Sequence, residues 1–355
     1  MNMTASCLRS SRTSLIIVLI VSLLLSSSVI AHAQSALSPY TLSVFATSQP
    51  PYSEPDDLAV SPDGKNLWVG FGNGVALDGS DGGSSDVVEY DIASGKVLRD
   101  ISIPGHVDGL KIDPATGAVW TTENEDANPT LAIINPNNGR FRLFKFPEAA
   151  HGGGYDDLAF TGPRWQEVLL SCSSPANDPN SGPAIARIGR LSGRNAGPVT
   201  SVLAGDAQAL DIPTQSMVTL NLRDPDSMTI DPFGDIILDS DIDHELIIVR
   251  PSGQTPNVLR LPVTLNNQSV EVNDTLFVTA SSGTIYITDR DGQTIYALTK
   301  PYFFPNEVYV AADSNETVGL LDMNTGAITP VAIGIDNPEG LAFAPNPPLK
   351  SGRRS

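Results

Sequence analysis

One short pattern recurs along the chain and constrains its fold more than any other feature of the sequence. The pattern is an acid, a small or polar residue, Leu or Met, any residue, and then Val, Ile or Phe. Its six copies are Asp56–Val60, Asp108–Ile112, Asp156–Phe160, Asp226–Ile230, Asp274–Val278 and Glu339–Phe343. The intervals between the copies have the length of a four-stranded antiparallel unit, with insertions in the third and fifth.

The residues after each copy fit such a unit. A turn such as Pro62-Asp63-Gly64 comes first, and further β-rich runs follow it. After the copy at Asp274, the runs assigned to its unit are 284–287 and 294–297. The repeats therefore predict an all-β protein, a six-bladed β-propeller of four-stranded antiparallel blades around a central channel.

The last copy cannot complete its own blade, because the chain ends at Ser355, shortly after Phe343. We expect residues 40–45 to close the ring as an outer strand of that blade. The runs 307–311, 318–321 and 328–333 are left without a blade. We predict that the single propeller domain spans residues 34–345 and that residues 346–355 are a disordered C-terminal tail.

The N-terminal segment, residues 1–33, has the layout of a secretory signal peptide. Arg9 and Arg12 supply the positive region, residues 14–30 the apolar stretch, and Ala31-His32-Ala33 the cleavage site. The alternative is an uncleaved anchor helix, but the apolar run is short for a membrane span. The sequence therefore predicts a secreted, extracytoplasmic protein with no membrane attachment after cleavage.

The charge balance excludes other classes of protein. The chain has 40 Asp and Glu against 21 Lys and Arg, and a nucleic-acid-binding protein needs a basic surface. With 30 Gly and 28 Pro, it is also unlike a coiled coil. Cleavage of the signal would remove Cys7 and leave Cys172, so no intramolecular disulfide is expected and Cys172 should pack as a small strand residue.

Part of the chain resembles a known group of propellers. The stretch Gly109–Pro147, with Trp-Thr-Thr-Glu-Asn at 120–124 and Ile-Asn-Pro-Asn-Asn-Gly at 134–139, resembles blades of the streptogramin (virginiamycin B) lyase group. The chain after the signal looks like a six-bladed propeller of the senescence-marker-protein/gluconolactonase type. The lyase group needs a His at an inner-strand start where this chain has Glu339, which counts against lyase chemistry.

The resemblance to gluconolactonase-type propellers implies a divalent cation, usually calcium, at the channel mouth. In that family the ion is held by Glu, Asp and Asn residues that begin inner strands. The positions that match in this chain are Asp56, Asp108, Asp156, Asp226, Asp274 and Glu339. The family has an Asn among these ligands, whereas all six matching positions here are acids.

The recurrence of the acid points to the same site without the resemblance. Each motif acid precedes the first apolar residue of an inner strand by two positions, and in a propeller these strand starts line one mouth of the channel. Converging carboxylates repel, so either some stay protonated or a hard cation lies among them. Calcium fits better than magnesium, because it takes six to eight oxygens in flexible geometry. The alternative is that each acid accepts backbone N–H bonds in a turn.

Four other features are weaker candidates. Asp239, Asp241 and Asp243 alternate, but the segment lacks the Gly and distal Glu of an EF-hand loop, which favours a solvated loop. The Gly-rich loop 78–83 is a lesser calcium candidate. His106 and His151 precede two motif acids and would overhang the mouth as general bases, unless they are loop histidines without a role.

Two functions remain open at this stage, so whether the protein is an enzyme is undecided. The favoured one is a secreted, monomeric binding or scaffold propeller with a cation at its mouth, whose partner is an unidentified small molecule or protein. The other is a calcium-dependent hydrolase of small lactones or esters. There the cation polarises the carbonyl and a ring carboxylate or His106 acts as the base.

Overall fold

The computed structural model describes residues 34–162, 167–250 and 257–347. Within these ranges the chain is all β-structure apart from turns and a short 3-10 helix, Asp313–Asn315. No helix in these ranges has the length and hydropathy of a membrane span. The predicted signal peptide, residues 1–33, and the part of the predicted tail beyond Pro347 lie outside the described residues.

The strands are numbered in chain order. The first sixteen are β1 (Ser35–Ala36), β2 (Thr41–Thr47), β3 (Pro55–Val60), β4 (Asn66–Phe71), β5 (Ser84–Asp91), β6 (Lys96–Pro104), β7 (Val107–Ile112), β8 (Val119–Glu123), β9 (Thr130–Ile134), β10 (Phe141–Lys145), β11 (Leu158–Phe160), β12 (Val168–Ser171), β13 (Pro183–Arg187), β14 (Leu191–Ser192), β15 (Asn195–Ala196) and β16 (Thr200–Ala204). The others are β17 (Gln208–Asp211), β18 (Ser216–Thr219), β19 (Pro225–Ile230), β20 (Ile236–Ser240), β21 (Glu245–Val249), β22 (Val258–Pro262), β23 (Thr264–Leu265), β24 (Gln268–Ser269), β25 (Asp274–Phe277), β26 (Gly283–Asp289), β27 (Thr294–Thr299), β28 (Val308–Ala312), β29 (Thr317–Leu321), β30 (Ala327–Ile333) and β31 (Pro338–Pro345).

Hydrogen bonding divides the described strands into six sheets, each with a core of four antiparallel strands. From the inner to the outer strand they are β3-β4-β5-β6, β7-β8-β9-β10, β11-β12-β13-β16, β19-β20-β21-β22, β25-β28-β29-β30 and β31-β26-β27-β2. We number these sheets one to six in that order. Each inner strand packs against the inner strands of both neighbouring sheets, so the inner strands surround a central channel.

The predicted all-β propeller is confirmed, but the number of blades is corrected. Although hydrogen bonding gives six sheets, the propeller has five blades rather than the six predicted. The sheets are unequal, because the inner strand β11 has three residues while β31 has eight. The hydrogen-bonded sheets therefore do not all have the form of a regular blade.

The sixth sheet joins the two ends of the described chain. Strand β2 pairs with β27 as the outermost strand, and β31 pairs with β26 as the innermost. The prediction that residues 40–45 close the ring is thus confirmed. Next to β2, the hydroxyl of Tyr40 lies 3.0 Å from that of Tyr309 and accepts a hydrogen bond from Lys300 Nζ at 3.2 Å.

The order of strands in the last two sheets differs from the sequence prediction. Strand β25, which begins at Asp274, pairs with β28 and not with the strand that follows it. The runs 284–287 and 294–297 belong to β26 and β27, which pair with β31 and β2 in the sixth sheet. The three unassigned runs form β28, β29 and β30 of the fifth sheet. The fifth interval is therefore long because it contains β26 and β27, two strands of the neighbouring sheet, and not because of an insertion.

Short hairpins extend the outer edges of three sheets. Strands β15, β17 and β23 pair in parallel with the outer strands β10, β22 and β30. Two of these hairpins account for the long third interval of the repeat, and all three cover strand edges that would otherwise be open to pairing. Apolar residues fill the spaces between adjacent sheets, and Cys172 is fully buried in one of these clusters, as expected of a small packed residue.

Candidate functional site

A β-bulge at the start of the inner strands decides which side chains line the channel. In sheets one, two, four and six, two residues of the inner strand lie opposite one residue of the second strand. In the first sheet these are Asp56 and Asp57, opposite Gly70. Because two consecutive residues share one step of the ladder, both can present side chains to the channel.

The paired positions form two layers, which we name by their place in the channel. The mouth ring consists of Asp56, Asp108, Asp156, Asp226, Asn273 and Glu339, and it lines a cavity of about 240 Å³. The inner layer consists of Asp57, Gly109, Asp157, Ser227, Asp274 and Gly340, each one residue further along its strand. Five of the six predicted metal ligands therefore meet at one mouth.

The sixth predicted ligand, Asp274, is one residue out of register. Thr275 pairs with Val310, at the level where Leu58 pairs with Val69 in the first sheet. The mouth position of the fifth sheet is therefore Asn273, which lines the cavity, and Asp274 belongs to the inner layer. In this sheet Thr275 occupies the position that is Leu or Met in the motif. The motif therefore matches Leu276 and is shifted by one residue.

In the inner layer, Asp alternates with a small residue around the ring. The Asp carboxylates reach sideways and accept backbone N–H bonds from the next sheet. The bonds are Leu110 N to Asp57 Oδ2 at 2.8 Å, Met228 N to Asp157 Oδ2 at 2.8 Å and Leu341 N to Asp274 Oδ2 at 2.7 Å. The alternative predicted for the motif acids, acceptance of backbone N–H bonds, thus describes the inner layer.

The small residues of the inner layer are required by this close approach. A Cβ added to Gly109 would lie 2.6 Å from the Cα of Asp157, and one added to Gly340 would lie 2.7 Å from a methyl group of Leu58. Such distances force the neighbour to move. The alternation of Asp and small residues is therefore a packing requirement between adjacent inner strands.

Lys111 compensates the charge of the inner layer. Its Nζ lies 2.7 Å from Asp57 Oδ2 and 2.8 Å from Asp157 Oδ2. Burial alone would lower the pKa of Lys111, but Asp157, Asp57 and Asp274 outweigh it and raise that pKa well above its usual range. Burial raises the pKa of Asp157 to about 6 and of Asp274 to about 7, and Lys111 opposes both shifts.

The mouth ring is compensated only in part, by Arg290, which opposes the pKa shifts of Asp56, Asp108 and Glu339. Burial, followed by repulsion from neighbouring carboxylates, raises the pKa values of Asp108, Asp156 and Asp226 well above the usual range. Burial also raises that of Glu339, and Asp56 adds to the shift. Two carboxylates about 5 Å apart repel by roughly 3 kcal/mol at an effective dielectric constant of about 20. The ring is electrostatically unfavourable as a set of bare anions.

More acids join the mouth ring from outside the repeat motif. Those lining the cavity are Glu125, Asp224, Asp241 and Asp313. Burial, with further repulsion from nearby acids, raises the pKa of Glu125 to about 7, that of Asp224 to about 6 and that of Asp241 to about 8. Asp241, Glu271 and Asp313 also have carboxylate oxygens within 4.8 Å of one another.

One guanidinium lies among these acids. Arg290 lines the cavity, and its Nη1 is 3.5 Å from Glu339 Oε1. The same oxygen accepts a hydrogen bond from Asn337 Nδ2 at 3.0 Å, and Glu339 Oε2 accepts one from Asn273. Burial would lower the pKa of Arg290, but Asp56 and Glu339 raise it, so the side chain stays charged.

His106, a predicted base, lies beside the mouth ring. Its Nδ1 is 2.7 Å from the carbonyl oxygen of Val75, and its Nε2 is 3.2 Å from Asp108 Oδ1. The residue is 1% exposed. Asp56 completes a group whose ligand atoms all lie within 4.8 Å of one another. The structure therefore places His106 behind Asp108, at one corner of the mouth.

His151, the other predicted base, is directed elsewhere. Its Nε2 lies 2.7 Å from the carbonyl oxygen of Gly154, and its ring packs against Tyr155. Burial lowers the pKa of His151. It is not among the described residues that line the cavity, where its predicted role would require it.

The segment 239–245, at the end of β20 and beyond it, was expected to be a solvated loop, and this expectation was wrong. Asp239 is fully buried and accepts a hydrogen bond from Thr275 Oγ1 at 2.7 Å, while Asp241 lines the mouth. Asp243 pairs with Arg223 at 2.7 Å. Second strands run antiparallel to inner strands and end at the same mouth, so a polar residue just after a second strand was the signal to follow.

The Gly-rich loop 78–83 uses its acids in turns. Asp78 accepts the backbone N–H of Ser80, and Asp81 accepts those of Ala76 and Gly83. These bonds hold the pKa of Asp81 below its usual value. Both carboxylates are thus occupied by the loop itself.

The fold and this site define the class of the protein as a β-propeller with an acidic channel mouth. Among solved structures, a protein of unknown function from Bacteroides caccae aligns with 83% of this chain and 88% of its own length, at 9% identity and a TM-score of 0.50. Virginiamycin B lyase from Staphylococcus aureus aligns over 86% and 96%, at 12% identity and a TM-score of 0.50. Periplasmic gluconolactonase from Pseudomonas aeruginosa aligns over 82% and 89%, at 13% identity and a TM-score of 0.47.

The solved structures include proteins of both groups that the sequence resembles, and the likeness to virginiamycin B lyase confirms the propeller fold. At 9 to 12% identity, the structures with a TM-score of 0.50 support the propeller fold and no activity. No family model and no curated protein matches the sequence. The function has to be argued from the channel mouth.

Proposed function

We propose that the mouth ring binds a divalent cation, with calcium the best match, and that the protein is a secreted propeller that binds its ligand through this ion. The imbalance of charge at the mouth carries the proposal. Nine carboxyl groups besides the compensated Asp57 line one cavity, and Arg290 is the one basic side chain lining it among the described residues. Buried anions without partners are strongly unfavourable, and a bound cation would remove that cost.

The chemistry of the donors favours calcium. The mouth ring offers carboxylate oxygens and the amide of Asn273, and Asn337 adds a second amide. Calcium takes six to eight such oxygens, whereas magnesium demands regular octahedral geometry and keeps several waters. Asn273 also supplies the amide that the resemblance to gluconolactonase-type propellers implied. A cavity of about 240 Å³ leaves room for water or for a ligand group next to the ion.

Arg290 favours a second function, a calcium-dependent hydrolase of small lactones or esters. Bound calcium would supply a Lewis acid for the carbonyl group. Arg290 is placed to contact a negatively charged part of a substrate, because it lies at the cavity wall beside Glu339. Glu125, with a pKa of about 7, can accept a proton near neutral pH.

Metal analysis and calorimetry test calcium binding. The purified protein should carry calcium, and its removal with a chelator should lower the melting temperature. A ligand present at 100 times its dissociation constant stabilises a fold by about 2.7 kcal/mol. Asp226→Asn should weaken calcium binding, while Asp206→Asn, an exposed carboxylate outside the cavity, serves as the control. The proposal would be refuted if the purified protein contained no metal and its melting temperature did not change when calcium was added.

Turnover separates the two functions. A panel of lactones and aryl esters should be assayed with calcium and with a chelator. Activity that disappears in Glu125→Gln, in a variant that still binds calcium, would establish the hydrolase. Absence of turnover across the panel, together with a stable partner captured from the secreted fraction, would establish the binding protein.

A further inference from the structure

We infer that Asp56, His106 and Asp108 form a separate corner of the mouth that binds a divalent transition-metal ion, with Zn²⁺ as the best match. Their ligand atoms lie within 4.8 Å of one another. This site goes beyond the calcium proposal because it uses a nitrogen ligand. It shares two residues of the mouth ring with the calcium site.

The hydrogen bond on the far side of the imidazole fixes the role of His106. A backbone carbonyl oxygen can only accept, so Nδ1, at 2.7 Å from the oxygen of Val75, must carry a proton. In the neutral ring Nε2 is then a bare acceptor, and it faces Asp108 Oδ1 at 3.2 Å. Two acceptors at that distance need a positive centre between them, either a proton or a metal ion.

The surroundings favour a metal ion. Nε2 of His106 and Oδ2 of Asp108 are both buried without a hydrogen-bond partner among the described residues, and the two residues are 1% and 6% exposed. Ligands about 2.0–2.1 Å from a tetrahedral zinc ion are roughly 3.3 Å apart, close to the observed 3.2 Å. A carbonyl that accepts the second N–H of the imidazole is the usual outer partner of a metal-bound His.

The imidazole is held in place before any ion binds. Asn124 donates its backbone N–H to the carbonyl oxygen of His106 at 2.8 Å, and its side-chain oxygen accepts the N–H of His106 at 2.9 Å. Gly72 lies against the ring, since a Cβ there would be 2.7 Å from Cε1. The site therefore has a fixed imidazole and two carboxylates, and both carboxylates line the cavity.

This arrangement separates the two ions by ligand type. One His and two carboxylates suit zinc, cobalt(II) or manganese(II), whereas calcium rarely takes nitrogen. The other mouth-ring residues, Asp156, Asp226, Asn273 and Glu339, keep their oxygens for calcium. Loss of the imidazole should therefore affect the transition metal far more than calcium.

Titration with cobalt(II) and zinc tests the site. The wild-type protein, saturated with calcium, should bind one cobalt ion with the absorption of a nitrogen-containing site, and zinc should displace it. His106→Gln should weaken binding of both metals at least 100-fold, since loss of an outer partner alone costs about 10- to 100-fold. His151→Gln is the matched control, because His151 is also buried and bonded to a backbone carbonyl but lies outside the cavity lining.

Two results would overturn the assignment. One is the absence of stoichiometric cobalt or zinc binding to the wild-type protein, and the other is equal binding by His106→Gln. A measurement on the wild type avoids dependence on the folding of the variant: zinc should shift the ¹⁵N resonance of His106 Nε2. If both ring nitrogens are protonated and their ¹⁵N resonances do not change when zinc is added, a proton and not a metal ion occupies the corner.

Calcium binding measured on the same proteins keeps the two proposals distinct. His106→Gln should retain calcium, and Asp226→Asn should retain zinc while it binds calcium more weakly. If only calcium binding fails, the zinc assignment stands. If only zinc or cobalt binding fails, the calcium proposal stands.

Discussion

The mouth ring and the inner layer lie one residue apart in the sequence and in the same channel, but their carboxylates meet opposite surroundings. In the inner layer, Asp57 and Asp157 each accept a backbone N–H from the next sheet and share Lys111. In the mouth ring, Asp156 and Asp226 lie beside other carboxyl groups, and burial followed by this repulsion raises their pKa values well above the usual range.

The comparison shows how one residue type serves two purposes within a single motif. A buried carboxylate stabilises the fold where N–H groups and an ammonium complete its hydrogen bonds. It becomes a ligand where its oxygens are held together without such partners. The inner layer joins sheets one to two, three to four and five to six, while the mouth ring gathers unfavourable charge for an ion to neutralise.

The largest effect should come from removing an inner-layer acid. Asp157→Ala takes away the acceptor of Met228 N and one partner of Lys111, so the free energy of unfolding should fall by about 3–5 kcal/mol. Urea unfolding in the presence of a chelator measures it, with Asp206→Ala as the control. A loss below about 1 kcal/mol would mean that the inner layer is no better compensated than the mouth.

The pH dependence of stability should sharpen the comparison at the mouth. Folded-state pKa values of about 6 for Asp224, 7 for Glu125 and 8 for Asp241 lie above the unfolded values. Such groups favour the folded state below the unfolded pKa, near 4, and that contribution is lost as pH rises through the folded pKa. Without metal, the free energy of unfolding should therefore fall by several kcal/mol between pH 5 and pH 8, because each pKa unit corresponds to about 1.4 kcal/mol.

Two further measurements isolate the source of that fall. Asp157 and Asp274 of the inner layer shift in the same direction, so Asp241→Asn should reduce the fall without abolishing it. Calcium should flatten the profile, because the bound ion favours ionised carboxylates. A metal-free protein that becomes more stable from pH 5 to pH 8 would contradict the electrostatic description of the mouth.

Neutralising a mouth-ring acid should have the opposite sign from the inner-layer change. Asp226→Asn removes the cost of ionising a buried carboxyl group beside Asp156 and provides an amide N–H donor toward Asp156, so the metal-free protein at pH 8 should gain about 1–2 kcal/mol. The same variant should bind calcium more weakly. Thermal melting with and without calcium records both changes, and destabilisation of the metal-free variant would count against the distinction between the layers.

The smallest effect tests the register of the fifth sheet. Asn273→Asp places a sixth carboxyl group in the mouth ring, and the metal-free protein should lose about 1 kcal/mol at pH 8 while calcium binds more tightly. Asp274→Asn is the matched change one residue away. It should weaken the bond to Leu341 N and leave calcium affinity unchanged. Equal effects of the two variants on calcium affinity would refute the register.

Much of the fold could be predicted from the sequence, because strands and turns are local. The motif spacing located the inner strands, and the run at residues 40–45 was predicted as the closing strand, which is β2 in the structure. The place of β26 and β27 could not be predicted this way. Their apolar runs are ordinary second and third strands, and the choice of partner depended on β31, which follows only after β28, β29 and β30.

The site was predictable to a lesser degree. The repeat identified Asp56, Asp108, Asp156, Asp226 and Glu339, because a recurring position in a propeller maps to one mouth. It missed Asn273, which is no acid. Asp241 was only a weaker candidate, because the motif covers the starts of inner strands and Asp241 follows the second strand β20. His106 was recognised because it lies two residues before Asp108 in the sequence. Which ring nitrogen carries the proton depends on the carbonyl oxygen of Val75, in a different part of the chain.

The sequence by itself determined the alternation of short strands and turns, the acidic balance and the recurrence of an acid at each inner-strand start. Only the tertiary structure decided which of two adjacent acids faces the mouth. The physical reason is the bulge, which places Asp56 and Asp57 at one step of the ladder. The neighbouring sheet then supplies Leu110 N and Lys111 to Asp57 and the carboxyl group of Asp108 to Asp56. Local residue preferences carry no information about those neighbours.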